Sequence, residues 1–300
     1  MQPIIIAGFG RSGTTWVSDI VSKTMGGLIL FEPDHPCVNN NSENWIYKAH
    51  LHQNVIDFEW ERFFLKKNKN QWLLRNHLIS NENQSDEILN SIWNNSQIIG
   101  FKCIRWNHSL DTLSILSGNK LIYIIRHPLA VVASLLRRPN FFLEFGWDTH
   151  WQLFKKRNPL KEINLEQYDH SQKSIKYVAM WAISNIKALT DLHTKKIPFW
   201  QYEKLYHTPY EEAKRMLSFL GVKDVNIHPS YLFYPSMSTL KTFHTDEEGW
   251  PSRKHHDMNV FWKEILDDPT IDELLYTVDN LVSHFPKIKQ IFHRLNYLKA

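Results

Sequence analysis

Cysteine is nearly missing from this chain of 300 residues, with only Cys37 and Cys103 present. Two thiols cannot build the framework on which small secreted folds rely, so a reducing cytoplasm is the expected compartment. Glycine is scarce too: ten residues are about half the usual share of roughly 7%. No apolar run approaches the ~20 residues of a membrane-spanning helix, so no transmembrane segment is expected. The first residues, Met1 to Ala7, lack the basic flank and the apolar length of a signal peptide. Collagen-like periods, disordered composition and repeats of the solenoid type are all absent. Charge of one sign is in slight excess only, 35 Lys and Arg against 31 Asp and Glu, or +4 overall. That balance suits a small anionic ligand and falls short of the clustered basic stripe of a nucleic-acid binder. Lys66-Lys67 and Lys195-Lys196 read as solvated faces.

What is present is ordinary in bulk and uneven in distribution. The hydrophobic share is 43%, and no Pro/Gly/Ser-rich linker divides the chain. A single domain over 1–300 is the simplest partition. Thirteen of the asparagines and four of the tryptophans fall between Asn39 and Asn95. That stretch, about 39–95, reads as a polar and aromatic insertion. The expected strands are Pro3–Ala7, Leu28–Phe31, Ile98–Ile104, Leu121–Ile125 and Ile197–Tyr202. Helices are expected from Thr14, from Pro128 to Leu136, over Ile175–Leu192 and from Pro209 to Leu220, the last closed by Gly221. A helical C-terminal segment runs over about 259–297. Strand-then-helix alternation predicts an α/β fold, a central parallel sheet of about five strands covered by helices on both faces.

Ligands of open α/β sheets bind beyond the carboxyl ends of the strands. Four places are thereby selected: Gly8–Thr15, Glu32–His35, Lys102–Asn107 and Arg126–Ser134. Gly8, Gly10 and Gly13 fit G-x-G-x-x-G, and Glu32 lies 19 residues past Gly13, so a dinucleotide fingerprint is satisfied on paper. The same residues half-fit a Walker A loop, with Thr14 where lysine belongs and Arg11 inside the loop. Both readings share strand, glycine loop and helix N-terminus, which offer backbone N–H groups to a phosphate. The spacing alone leaves the two open.

The fourth strand decides between them. A P-loop NTPase carries an acidic Mg²⁺ ligand after a buried strand. Here Leu121–Ile125 ends in Arg126. Arg126, a helix opened by Pro128, and Ser134 two turns in would form a second anion site. Two anion sites on neighbouring strands fit a nucleotide phosphorylated at both ends.

Arg11-Ser-Gly-Thr-Thr-Trp16 together with Ile125-Arg-His-Pro-Leu-Ala-Val-Val-Ala-Ser134 resembles the PAPS-dependent sulfotransferases, bacterial and carbohydrate-type members in particular. Phe31-Glu-Pro-Asp-His35 is similar to their FEP-x-H element, and Phe101-Lys-Cys-Ile-Arg105 to their third strand. Tyr202-Glu-Lys-Leu205 with Pro209 and Phe219-Leu-Gly221 is similar to their tyrosine–glutamate element and the helix after it. The resemblance covers about 200 of the 300 residues.

It implies a P-loop-NTPase-like, three-layer fold and metal-independent transfer of the sulfuryl group of PAPS to an acceptor hydroxyl. Arg11, Ser12, Gly13, Thr14 and Thr15 would receive the 5′-phosphosulfate, and Arg126 and Ser134 the 3′-phosphate. Tyr202 would lie near the adenine, with Trp16 a weaker stacking candidate that better suits the core. Glu32 is the expected general base, with His35 as second choice. Lys102 is expected either on the sulfuryl oxygens or as a surface charge. Arg253 and Lys254 would close over the nucleotide. His108 is displaced from the family's histidine position and substitutes poorly. His255-His256-Asp257 lacks a recognised ligand spacing, so no metal is expected. Tryptophan and asparagine in the insertion suit a carbohydrate or glycoconjugate acceptor. A nucleotide kinase of related fold and a non-catalytic nucleotide-binding protein are the alternatives.

Overall fold

The structure, a computed structural model, describes residues 3–32, 98–137, 147–156, 158–233 and 261–298, together with 91 and 95. The expected insertion, residues 91 and 95 apart, lies outside the described residues, as do His35, Arg253, Lys254 and His255–Asp257.

Five parallel strands form one sheet: β1 (Ile4–Gly8), β2 (Leu28–Phe31), β3 (Ile98–Cys103), β4 (Leu121–Ile125) and β5 (Phe199–Gln201). Their order across the sheet is β2-β3-β1-β4-β5. Strand β1 is central, with Ile5 in register with Phe101 on one side and Leu121 on the other. Successive side chains point to opposite faces. Ile5, Ala7, Leu121, Tyr123 and Ile125 enter one apolar cluster, while Ile4, Ile6, Ile122 and Ile124 enter another. Both faces are dry. That is why β1 and β4 read as unbroken apolar runs rather than alternating ones.

Helices supply the covering layers. On the second face lie α1 (Thr14–Met25), α6 (Tyr202–His207), α7 (Pro209–Phe219) and α8 (Pro229–Phe233). Trp16, Val17, Ile20 and Val21 recur at helical spacing and seal α1 onto Ile6 and Ile29. On the first face lie α2 (Leu110–Leu116), α3 (Pro128–Leu136) and α5 (Lys173–Lys195), with α4 (Trp147–Lys156) preceding α5 in the chain. The 23-residue α5 contributes Val178, Trp181, Ile183 and Ile186 to the core beneath α9 (Asp268–Ser283) and α10 (Pro286–Arg294). Two buried polar links pin it: Tyr123 donates to Asn185 Oδ1 at 2.9 Å, and Trp181 Nε1 donates to the Arg126 carbonyl at 3.1 Å. The result is three layers, a parallel α/β sheet between two helical ones.

One expected element is shorter than its pattern. The apolar stretch Ile197–Tyr202 yields a strand over Phe199–Gln201 only, because Tyr202 already begins α6. Helix α7 stops at Phe219, and Gly221 follows at φ +86°, the left-handed turn that glycine adopts without steric cost.

Candidate functional site

The carboxyl ends of β1 and β4 are adjacent, so the loops that leave them meet. After Gly8 the chain turns over Phe9–Ser12, and Gly13 caps α1 at φ +88°. Gly13 is required twice over. Its φ disfavours any side chain, and a Cβ there would lie 2.4 Å from the Tyr202 ring. Arg11 also takes a left-handed backbone, φ 70°, which costs an arginine on the order of 1 kcal/mol. Two contacts 115 and 123 residues away hold it there. Arg11 Nε donates to Ser134 Oγ at 2.9 Å, and Arg126 donates to the Arg11 carbonyl at 3.0 Å. The two motifs of the sequence are thus one structure.

The first hydrogen bond of α1 runs from Val17 N–H to the Gly13 carbonyl. The amides of Thr14, Thr15 and Trp16 precede that ladder, at the positive end of a 12-residue helix. Ser12 Oγ is fully buried beside them and has no hydrogen-bond partner among the described residues. An orphaned hydroxyl, leading amides and a fixed arginine are what an anionic group would satisfy.

Arg126 is 5% exposed, and apolar rings build its wall. Its guanidinium lies 4.4 Å from the centroid of Tyr202 and 5.6 Å from that of Phe261. Tyr202 therefore lies between Gly13 and Arg126, buried, with Trp16 edge-on at 6.0 Å. The Trp16 indole belongs to the core, and it supports the loop through Tyr202.

Next along the chain His127 caps α3, its Nδ1 accepting from Leu129 N–H. Burial pushes this histidine down to about 4, with the Arg126 charge adding to the lowering and a hydrogen bond to the Asn296 backbone opposing it. Its folded value lies below the unfolded 6.5, so the stability it contributes is complete above pH 6.5. It is lost as pH falls towards 4, up to about 3 kcal/mol. Urea unfolding at pH 7 and pH 4.5 should show that loss, and His127→Asn should flatten the slope.

A second cluster sits at the ends of β2 and β3. Glu32 follows β2 at φ 48°, and its N–H donates to the Lys102 carbonyl, extending the ladder by one residue. Its carboxylate takes Lys102 Nζ on Oε1 at 2.6 Å and Arg105 on Oε2 at 3.0 Å. Burial alone would raise the Glu32 pKa. The charges and hydrogen bonds of Lys102 and Arg105 outweigh it and hold the group at about 2. Lys102 is 2% exposed, so the surface-charge expectation is corrected: its β3 position aims it at Glu32, inside the sheet end. Arg105, inside the selected Lys102–Asn107 stretch but given no role from the sequence, is the more accessible cation.

His108 faces Ser184 Oγ at 3.2 Å and the Phe154 ring. Cys103 is fully buried. Glu203 is the other residue that the sequence left without a role: it accepts from the His127 N–H at 2.8 Å. Its acidic side chain at the start of α6 was the available signal. Among the described residues no helix is long and apolar enough to cross a membrane, and no group of three His, Cys, Asp or Glu comes together as a metal site.

Solved structures similar to this chain include the sulfotransferase domain of the Synechococcus PCC 7002 olefin synthase, 19% identical, covering 95% of this chain and 94% of its own, TM-score 0.45. The sulfotransferase domain from the curacin biosynthetic pathway is 14% identical, covering 95% and 98%, TM-score 0.44. A sulfotransferase from Alicyclobacillus acidocaldarius is 10% identical, covering 97% and 96%, TM-score 0.46. A comparison with curated proteins finds no match. Residues 1–267, which hold both clusters, match the sulfotransferase domain family, and the chain belongs to that family.

Proposed function

We propose that this sulfotransferase takes its sulfuryl group from PAPS and delivers it to a hydroxyl of a carbohydrate or glycoconjugate, with Glu32 as general base. The observation that carries the donor assignment is the stitching of Arg11 to both Ser134 and Arg126. It makes two anion-binding loops into one cradle for a nucleotide charged at both ends. Bound there, PAPS supplies an activated sulfuryl group on a phosphate leaving group. Ser12 Oγ, the leading amides of α1 and Arg11 are assigned to the 5′ end, where they would stabilise charge on the leaving oxygen. Arg126 and Ser134 are assigned to the 3′-phosphate. Tyr202, packed against Arg126, is assigned to the neighbourhood of the adenine. Arg253 and Lys254 are assigned to closure over the nucleotide.

Charge balance supports a reaction without metal. Arg126 stands where a P-loop NTPase carries its Mg²⁺-binding acid, and Thr14 where it carries lysine. Protein cations take over that neutralising work.

Glu32 with a pKa of about 2 is a poor proton acceptor while both cations hold it. Lys102 is the group assigned to the sulfuryl oxygens. Turning towards them, it leaves Glu32 buried with one cation fewer, and burial then raises its basicity. His35 is kept as an orienting group for the acceptor. The tryptophan and asparagine enrichment of residues 39–95 supports a sugar, one residue type stacking and the other hydrogen-bonding.

Calorimetry with adenosine 3′,5′-bisphosphate, ATP with Mg²⁺, and NADH tests the donor assignment. Tight binding of the bisphosphate alone is expected; tight binding of ATP with Mg²⁺ and none of the bisphosphate sinks it. A radiolabel transfer screen over glycans, lipids and phenols identifies the acceptor.

A further inference from the structure

Residues 268–300 lie beyond the family match, yet the end of this segment touches the strand end that carries Arg126. Tyr297 is fully buried, edge-on to His127 at 5.2 Å and to Trp181 at 5.9 Å. Its hydroxyl donates to Glu203 Oε2 at 2.8 Å. The other oxygen of that carboxylate accepts from the His127 N–H, also at 2.8 Å. Trp262 stacks on the His127 ring, 5.7 Å away and 2° from parallel.

We propose that Tyr297 is a positioning residue of the donor site: through Glu203 it fixes the Arg126–His127 peptide and so aims Arg126 at the nucleotide's 3′-phosphate. This rests on the donor assignment above. His127 N–H falls between structures, after the last residue of β4 and at the cap of α3, so neither ladder supplies its acceptor. Glu203 does. A carboxylate with one oxygen committed to the backbone can still rotate about its other end, and the phenol removes that freedom. Burial, with the Glu203 charge and hydrogen bond adding to it, raises the Tyr297 pKa well above the ordinary value, so the phenol stays a donor. The carbonyl of the same peptide is held too, accepting from Trp181 Nε1 at 3.1 Å. Arg126 has its backbone clamped from α5 on one side and from the C-terminal segment on the other.

The test is the affinity for adenosine 3′,5′-bisphosphate of the wild-type chain and four variants, with thermal unfolding in parallel. Tyr297→Phe keeps the ring and its packing and should weaken binding roughly 3- to 10-fold, the net size of one ordinary hydrogen bond, because the phenol acts on Arg126 only through Glu203. Glu203→Ala releases both contacts and should weaken it roughly 10- to 100-fold. Glu203→Gln retains an oxygen for His127 and should stay within about threefold of wild type. The double variant Tyr297→Phe, Glu203→Ala should bind no more weakly than Glu203→Ala alone, since both act through one carboxylate. If wild type binds the bisphosphate and Tyr297→Phe binds it equally well, or if the double variant is additive, the inference is overturned while the donor assignment stands. If wild type does not bind the bisphosphate, the donor assignment fails and takes the inference with it.

Discussion

Arg126→Ala should weaken adenosine 3′,5′-bisphosphate binding by two to three orders of magnitude. Removing one partner of a desolvated charge pair typically costs about 3–5 kcal/mol. Arg126 is 5% exposed, flanked by Tyr202 and Phe261, where little water screens its charge. It also donates to the carbonyl of Arg11, so its loss loosens the loop assigned to the other end of the nucleotide. Arg126→Lys should recover only part of the affinity, because a point charge cannot reach Arg11 and a phosphate with one planar fork. Calorimetry measures this directly. An alanine variant that binds as tightly as wild type would show that the 3′-phosphate is held elsewhere.

Glu32→Gln should lower kcat by about 10²- to 10⁴-fold, the usual share of a general base, with the donor Kd within about threefold. Its pH behaviour is distinctive. With Lys102 and Arg105 in place the free enzyme's carboxylate sits at about 2, so kcat/KM should show no Glu32 limb above about pH 3. The kcat profile reports the complex; if Lys102 turns to the sulfuryl oxygens there, as proposed, its acid limb should lie higher. Arg105→Gln removes the second cation and should raise the limb in kcat/KM as well, since desolvation then meets only one opposing charge. Linkage runs in the matching direction. Glu32 stabilises the fold fully above its unfolded 4.5, and that stability is lost as pH falls towards 2. Glu32→Gln leaves Lys102 buried beside a neutral amide, so its thermal unfolding midpoint should fall; assays belong below it. Full activity of this variant would remove Glu32 from the role of base.

Strands β1 to β4 and the long helix α5 were legible in the sequence to within a few residues. Their apolar runs and helical spacing are consequences of burial on both sheet faces and one helix stripe. Strand β5 and the short helices α2, α6 and α8 were less so. Six residues such as Tyr202–His207 hold under two helical turns, too few for a period to declare itself. Likewise the loop residues Arg11, Gly13 and Arg126 were visible, because backbone strain and strand-end position leave marks on residue choice.

Pairing leaves no such mark. Lys102 looked like a charge that could face solvent, and Arg105 and Glu203, though inside recognisable elements, gave no sign of their partners. Each owes its place to a partner: Glu32 lies 70 residues before Lys102, and Tyr297 lies 94 residues after Glu203. Local pattern determined where the chain turns, which faces are dry and where a glycine loop, the start of a helix and arginine come together. Only the packed sheet, by setting the ends of β2 and β3 side by side and laying the C-terminal segment against β4, decided which charges neutralise one another. Electrostatic energy depends on distance through space, and distance through space is what a linear chain does not carry.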